Sequence, residues 1–387
     1  MKFPNRVLVV HNAYQHRGGE DTVVEAEVAL LRARGHEVEI WSRSNEEVVG
    51  MPALKLAGQT LWSSHTFSEL TSLVRKFQPD VIHAHNTFPL ISPSLYWAAS
   101  KADVPVVQTL HNFRLMCLNA LFLRNGQVCE DCMGHVPWKG VARGCYRNSR
   151  PASAVLAGML TLHRGLGTFQ NKVARFIALN EFCRDKFIQG GLPPDLVTIK
   201  PNFVDSPPPM EVNRQGLLFV GRLSTEKGIN TLSSAMSMQR DINISVAGDG
   251  PEASLIRDAP GVTMLGALPS DMVRSVMEES IALIVPSIWY ENFPRTIVEA
   301  FAAGLPVIAS RIGALADIVS DKNTGLFFEP GNAQDLADKM AWAQAHPAEM
   351  HEMGRNARAH YERSFTPEVN YQQLINIYQA AIAEQQS

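Results

Sequence analysis

Short apolar, β-rich runs alternate with amphipathic stretches of helical period along this 387-residue chain, and no other feature restricts its fold as much. A strand that returns through a helix pairs in parallel, so the pattern predicts an α/β protein with parallel sheets. In the first half the predicted strands are Arg6–Val10, Glu37–Ser42, Val81–His83, Val106–Leu110 and Arg175–Leu179. In the second they are Leu217–Val220, Ile244–Ala247, Val262–Leu265, Ile281–Val285, Val307–Ala309 and Gly325–Phe328. The stretch from Lys200 to Pro209 reads as a stiff linker between the halves. The length suffices for two domains, each with its own core, and the halves share no internal sequence repeat.

With 35 basic against 38 acidic residues the formal charge is −3, which argues against a general nucleic-acid binder. No uninterrupted apolar stretch reaches membrane-spanning length. The opening Met-Lys-Phe-Pro-Asn-Arg leads straight into a strand, so no signal peptide is expected and the protein is placed in the cytoplasm.

The densest chemistry lies between Trp289 and Ala300, where Glu291 and Glu299 stand eight residues apart. Glu291 falls in a loop after the strand that Pro286-Ser287 ends. A helix is predicted to start near Pro294, which is tolerated in a first turn, and to carry Glu299 inward. Its open N–H groups suit phosphate, and the two carboxylates can accept hydrogen bonds from sugar hydroxyls on either side of a diphosphate. The plainer alternative is a solvated Glu291 and a Glu299 that pairs with a lysine.

Upstream, the strand ending at Val220 runs into Gly221-Arg222-Leu223-Ser224-Thr225-Glu226-Lys227-Gly228, again strand, turn and helix start. Arg222 offers a planar fork and Lys227 a point charge to one anionic group, and together with a helix N-terminus they can neutralise a leaving diphosphate without Mg²⁺. Another strand ends in Gly248-Asp249-Gly250-Pro251. Near the start, His11-Asn12 and Gly18-Gly19-Glu20-Asp21 open a helix expected from about Asp21 to Arg34, and the glycine pair permits close approach of a ligand.

Taken together, these motifs resemble a retaining nucleotide-sugar glycosyltransferase of family 4 (glycosyltransferases group 1). The matching pieces are the Gly18-Gly19 loop, His111 after its strand, Gly221-Arg222-Leu223 with Glu226-Lys227-Gly228, Gly248-Asp249-Gly250-Pro251, and the two glutamates. The resemblance implies a GT-B fold: two Rossmann-like domains with parallel sheets facing a central cleft. Residues 1–202 would form the acceptor-side domain, 203–366 the nucleotide-sugar-binding domain, and a last helix, 367–387, would pack back on the first.

The same resemblance implies roles. His111, Arg222, Lys227 and Glu291 would be catalytic. The donor would be held by Gly18, Gly19, Arg222, Lys227, Gly250, Phe293, Arg295, Thr296 and Glu299, with Glu299 on the ribose. His85, Asn86 and Asn112 would line the acceptor side, whereas His83, which alternates with His85 on one strand, is assigned to structure. Pro294 stands where members of the family often have glycine; having no N–H, it leaves donor contacts to Phe293, Arg295 or Thr296. The implied activity is transfer of a hexose from a UDP- or GDP-sugar to a glycan acceptor, lipid-linked, in bacterial surface polysaccharide synthesis, with no cofactor in catalysis. A sugar-nucleotide epimerase, a phosphorylase and a non-catalytic nucleotide-sugar-binding subunit remain as alternatives on the same scaffold.

Four of the five cysteines, Cys117, Cys129, Cys132 and Cys145, cluster in one segment with a C-x2-C at its middle. A structural zinc, with His135 as a spare ligand, reduced buried thiols and a disulfide are all open readings. The surrounding stretch from Arg114 to Arg150 interleaves cations with Trp, Tyr and Phe. It suits either a peripheral contact with an anionic inner-membrane surface or a loop wrapped over its own domain.

Overall fold

The computed structural model describes residues 3–15, 18–210, 212–239 and 241–385. The chain folds as two units. One takes the chain up to Leu121, Glu130–Pro201 and the chain from Asn370 onward; the other takes Phe122–Cys129 and Asn202–Val369.

The first unit is built on strands β1 (Arg6–Ala13), β2 (Glu37–Ser44), β3 (Val81–Ala84), β4 (Val106–Thr109), β5 (Arg175–Ala178) and β6 (Val197–Ile199), in the order β2-β1-β3-β4-β5-β6 and parallel throughout. Its helices include α1 (Gly19–Ala33), α2 (Ala53–Leu61), α3 (Trp138–Ala142) and α4 (Arg150–Gly165). β6 was not expected: it is three residues long, and Thr198 interrupts the apolar run that marks the other strands. Lys200, read as the start of the linker, is instead fully buried in this unit.

The second unit repeats the plan with β7 (Leu217–Val220), β8 (Ile244–Ala247), β9 (Val262–Gly266), β10 (Ala282–Val285), β11 (Val307–Ser310) and β12 (Gly325–Phe328), ordered β9-β8-β7-β10-β11-β12. Two helices carry the site below, α5 (Ile229–Met238) and α6 (Arg295–Ala302). Side chains alternate across this sheet with period two. Leu217, Phe219, Ile244, Val246, Ile284 and Ile308 enter one apolar cluster, while Leu218, Leu283, Val285, Val307 and Ala309 enter another with Ile297, Val298 and Phe301 of α6. Burial on both faces is why these strands read as continuous apolar runs.

A final helix, α7 (Pro367–Gln385), puts Leu374, Ile375, Tyr378, Ala381 and Ile382 among Val7, Val9, Val81 and Val107 of the first unit's sheet. The expected end of that helix, 386–387, lies outside the described residues. Among the described residues no helix is long and apolar enough to cross a membrane.

Candidate functional site

In an open parallel sheet, ligands bind beyond the carboxyl ends of the strands where the strand order reverses. In the second unit that point lies between β7 and β10, and the two loops leaving these strands carry Arg222, Lys227 and Glu291. After β7 the chain makes a 3-10 turn, Thr225–Lys227, and turns at Gly228 with φ +76° before α5. A Cβ at Gly228 would stand 1.8 Å from the Pro286 carbonyl oxygen, so only glycine lets the two loops approach this closely.

That approach pairs them chemically. Lys227 Nζ lies 2.5 Å from Glu291 Oε1, which also accepts the Ser287 hydroxyl at 2.8 Å. Glu291 is buried, not solvated. Burial pushes its carboxyl up, but the Lys227 charge and the hydrogen bonds it receives outweigh that and hold it below the usual carboxylate value. The Lys227 ammonium also sits 5.8 Å from the Trp289 ring centroid. Arg222 is exposed, and no hydrogen bond or ion pair engages its guanidinium among the described residues.

The helix after Glu291 starts at Arg295, near Pro294 as expected, with Pro294 immediately before it. Arg295 Nε donates to Glu299 Oε1 at 2.9 Å, so Glu299 is tied to an arginine one turn back and not to a lysine. Burial outweighs that charge and raises the Glu299 carboxyl. Both residues line a cavity of about 190 Å³ with Val220, Ser270, Val273 and Met277. Phe293 and Thr296 are half-buried around the same helix start, Phe293 packing against the core with its ring 6.3 Å from Phe365. Gly250 serves packing: its N–H bonds Asp249 Oδ1 at 2.7 Å, and a Cβ there would lie 2.3 Å from the Leu223 carbonyl oxygen.

In the first unit the strand order reverses between β1 and β3. Gly18 and Gly19 follow β1, Gly18 capping α1 with its N–H 2.8 Å from Asp21 Oδ2. His11 Nε2 is 2.7 Å from the other Asp21 oxygen. Across the switch point, His85 Nδ1 and His111 Nε2 are 2.9 Å apart. Asn86 uses its side chain on the backbone, donating to Asn12 O and accepting from Phe88 N. Asn112 Nδ2 donates to Glu20 Oε1, and Tyr14 OH donates to Glu20 Oε2, both at 2.9 Å. Glu20, His85, Asn86, His111, Asn112 and Arg114 line one cavity of about 50 Å³.

Electrostatics here favour neutral groups. Burial, then the neighbouring His83, His111, His11 and Lys200, hold His85 well below its ordinary value; burial, then His11, His83 and Lys200, do the same for His111. Burial raises the Glu20 carboxyl despite the bonds from Asn112 and Tyr14. Beneath them Glu27 accepts Lys200 Nζ at 2.5 Å, and its other oxygen lies 3.7 Å from His85 Nε2 and 3.8 Å from His83 Nδ1. His83 is fixed between Tyr378 OH at 2.7 Å and Thr109 Oγ1 at 2.8 Å.

Glu20, Tyr14, Glu27 and Lys200 escaped sequence reasoning. Glu20 borders the glycine pair and offered a signal; the Glu27–Lys200 pairing spans 173 positions and offered none. Among the described residues, Glu27, His83 and His85 form the one group of three or more ligating side chains whose ligand atoms lie within 4.8 Å, and no cysteine belongs to it. The Lys200 ammonium already meets that group's carboxylate, which disfavours a second cation there.

A family profile described as Glycosyl transferases group 1 matches residues 207–360, and one described as Glycosyltransferase Family 4 matches residues 17–206. A GDP-mannose-dependent alpha-mannosyltransferase of Corynebacterium glutamicum is 26% identical over 308 residues, 79% of this chain and 69% of that protein. The first curated relatives are matched over 30% to 36% of their own length, so the chain spans about a third of them. Sucrose-phosphate synthase from Thermosynechococcus elongatus superposes with a TM-score of 0.71 at 18% identity, covering 98% of this chain and 100% of that one. Anabaena HepE in complex with UDP gives 0.68 at 18% identity over 97% and 100%. These likenesses show the GT-B fold.

Proposed function

The chain belongs to the family 4, group 1 glycosyltransferases, and from that premise we propose that it transfers a hexose from a UDP- or GDP-sugar to a lipid-linked glycan acceptor with retention, in surface polysaccharide synthesis. The observation that carries the reading is the Lys227–Glu291 pair across the second unit's switch point, with an exposed Arg222 on the same loop as Lys227. UDP in the HepE structure and GDP-mannose in the name of the Corynebacterium relative support a nucleotide-sugar donor.

In this reading Arg222 and Lys227 neutralise the leaving diphosphate, Glu299 accepts the ribose hydroxyls, and Glu291 accepts hydroxyls of the transferred sugar. The acceptor hydroxyl attacks the anomeric carbon on the face the diphosphate leaves. A diphosphate oxygen takes its proton as the carbon–oxygen bond to phosphate breaks. Charge develops on the sugar ring and on the diphosphate, so fixed electrostatics supply most of the stabilisation. Neither glutamate forms a covalent intermediate, unlike the glycosidase pair. His111, held by His85, acts from the first unit, where His85, Asn86 and Asn112 serve the acceptor.

A thermal-shift panel of nucleoside diphosphates and their sugars identifies the donor, because a ligand that binds only the folded state raises its melting temperature. Turnover of the ligand that stabilises most separates the transferase from a silent binding subunit. No shift with any UDP or GDP ligand contradicts the proposal.

A further inference from the structure

Between Asp131 and Glu181 the sequence holds no Asp or Glu and seven Lys and Arg, in a chain whose formal charge is −3. Within this stretch α3 and α4 present exposed side chains at the surface of the first unit. α3 and α2 both pack on α4, with His163 Nε2 3.0 Å from the Leu61 carbonyl and Arg164 bonding the His135 and Leu115 carbonyls. The inner side of α4 is buried through Leu156, Ala157, Met159 and Leu160. Its outer side is apolar as well. Leu162 is 47% exposed and Leu166, just past its end, 52%; Val136 is 56%, Trp138 at the start of α3 64%, and Leu54 on α2 89% exposed.

Exposed apolar side chains gathered on helices that pack together mark an interaction surface. The charges decide what. Lys139 and Arg143 are paired with Asp131, but Arg147 and Arg150, between α3 and the first turn of α4, are exposed, with no acidic residue in the stretch that follows. We infer that this face, formed by α2, α3 and α4, docks on an anionic lipid bilayer, with Trp138, Leu162 and Leu166 entering the interface and Arg147 and Arg150 meeting the headgroups. It places the contact on α4 and α2 as well as on the basic aromatic segment. It rests on the proposed reading only through the lipid-linked acceptor and is independent of donor chemistry.

The test is co-sedimentation of the full chain with vesicles of phosphatidylcholine alone or mixed with phosphatidylglycerol, at low and high salt. The expected result is binding to the anionic vesicles that weakens with salt, and about a tenfold or greater loss of partitioning in the double variant Leu162→Ser/Leu166→Ser and in Trp138→Ser. Arg147→Glu/Arg150→Glu should remove the preference for anionic lipid. All three variants should keep wild-type melting temperatures and wild-type thermal shifts with UDP or GDP. Equal, negligible binding to both vesicles overturns the inference. So does a wild-type dimer on size exclusion that Leu162→Ser/Leu166→Ser converts to monomer, since the face then belongs to a second copy. Vesicle binding without any nucleotide shift leaves the docking surface standing and removes the donor assignment instead.

Discussion

The Lys227 ammonium stands 2.5 Å from Oε1 of Glu291, and so joins the loop leaving β7 to the loop leaving β10. Glu291 is buried whereas Lys227 remains partly open, so the lysine is the more accessible member of the pair.

This asymmetry separates two substitutions that the sequence treats alike. Lys227→Ala strands a buried carboxylate and should lower stability by about 1–3 kcal/mol. Arg222→Ala removes an exposed guanidinium and should leave stability within about 0.5 kcal/mol of wild type. Urea denaturation checks both; an unchanged midpoint for Lys227→Ala would show that the pair does not hold the site together.

Glu27 and Lys200 form a buried pair in the first unit. Lys200→Met should cost about 3–5 kcal/mol, because the carboxylate is left without its cation. Glu27→Gln in the same chain should recover much of that loss. A double variant no more stable than Lys200→Met would mean that the cost came from packing.

The first unit should be acid-labile. His83 is held at about 4 by burial, against the pull of Glu27, from an ordinary 6.5. The native state therefore binds fewer protons than the unfolded chain below about pH 6.5, and stability falls as pH drops from there to about 4. His83 alone contributes on the order of 3 kcal/mol, and His85 and His111 shift the same way. Glu20 has the opposite sign: its raised carboxyl binds a proton more readily when folded, so stability is lost as pH rises from the ordinary carboxylate range through its folded value. Glu20→Gln should thus raise the melting temperature at pH 8 and confer no gain at pH 4. Melting curves across this range, wild type against variant, test both signs.

Most of the parallel strands were legible because they are buried on both faces, as Leu217–Val220, Ile244–Ala247 and Gly325–Phe328 show by starting and ending where their apolar runs do. The site loops were legible because glycine and charge mark them, Gly228 by its positive φ and Lys227 beside it. What stayed hidden depends on contacts between distant positions. Nothing near Lys200 announces Glu27, and Thr198 disguises β6. The start of α6 was legible from Pro294, which stands immediately before its first residue, Arg295.

Turnover should not need a divalent metal. The chain contains no D-x-D carboxylate pair, and Arg222 with Lys227 supply the positive charge the diphosphate needs. Brief EDTA treatment should leave the rate unchanged. Activity abolished by it and restored by Mg²⁺ or Mn²⁺ would overturn this assignment.

The most direct measurement is release of UDP or GDP from the donor sugar by wild type and by Arg222→Ala, in EDTA. Losing one charge-assisted contact in the site corresponds to about 2–4 kcal/mol of transition-state stabilisation, so kcat/KM should fall by about 30- to 900-fold while the melting temperature stays the same. Equal kcat/KM for the two proteins, with a donor that both demonstrably bind, would contradict the account.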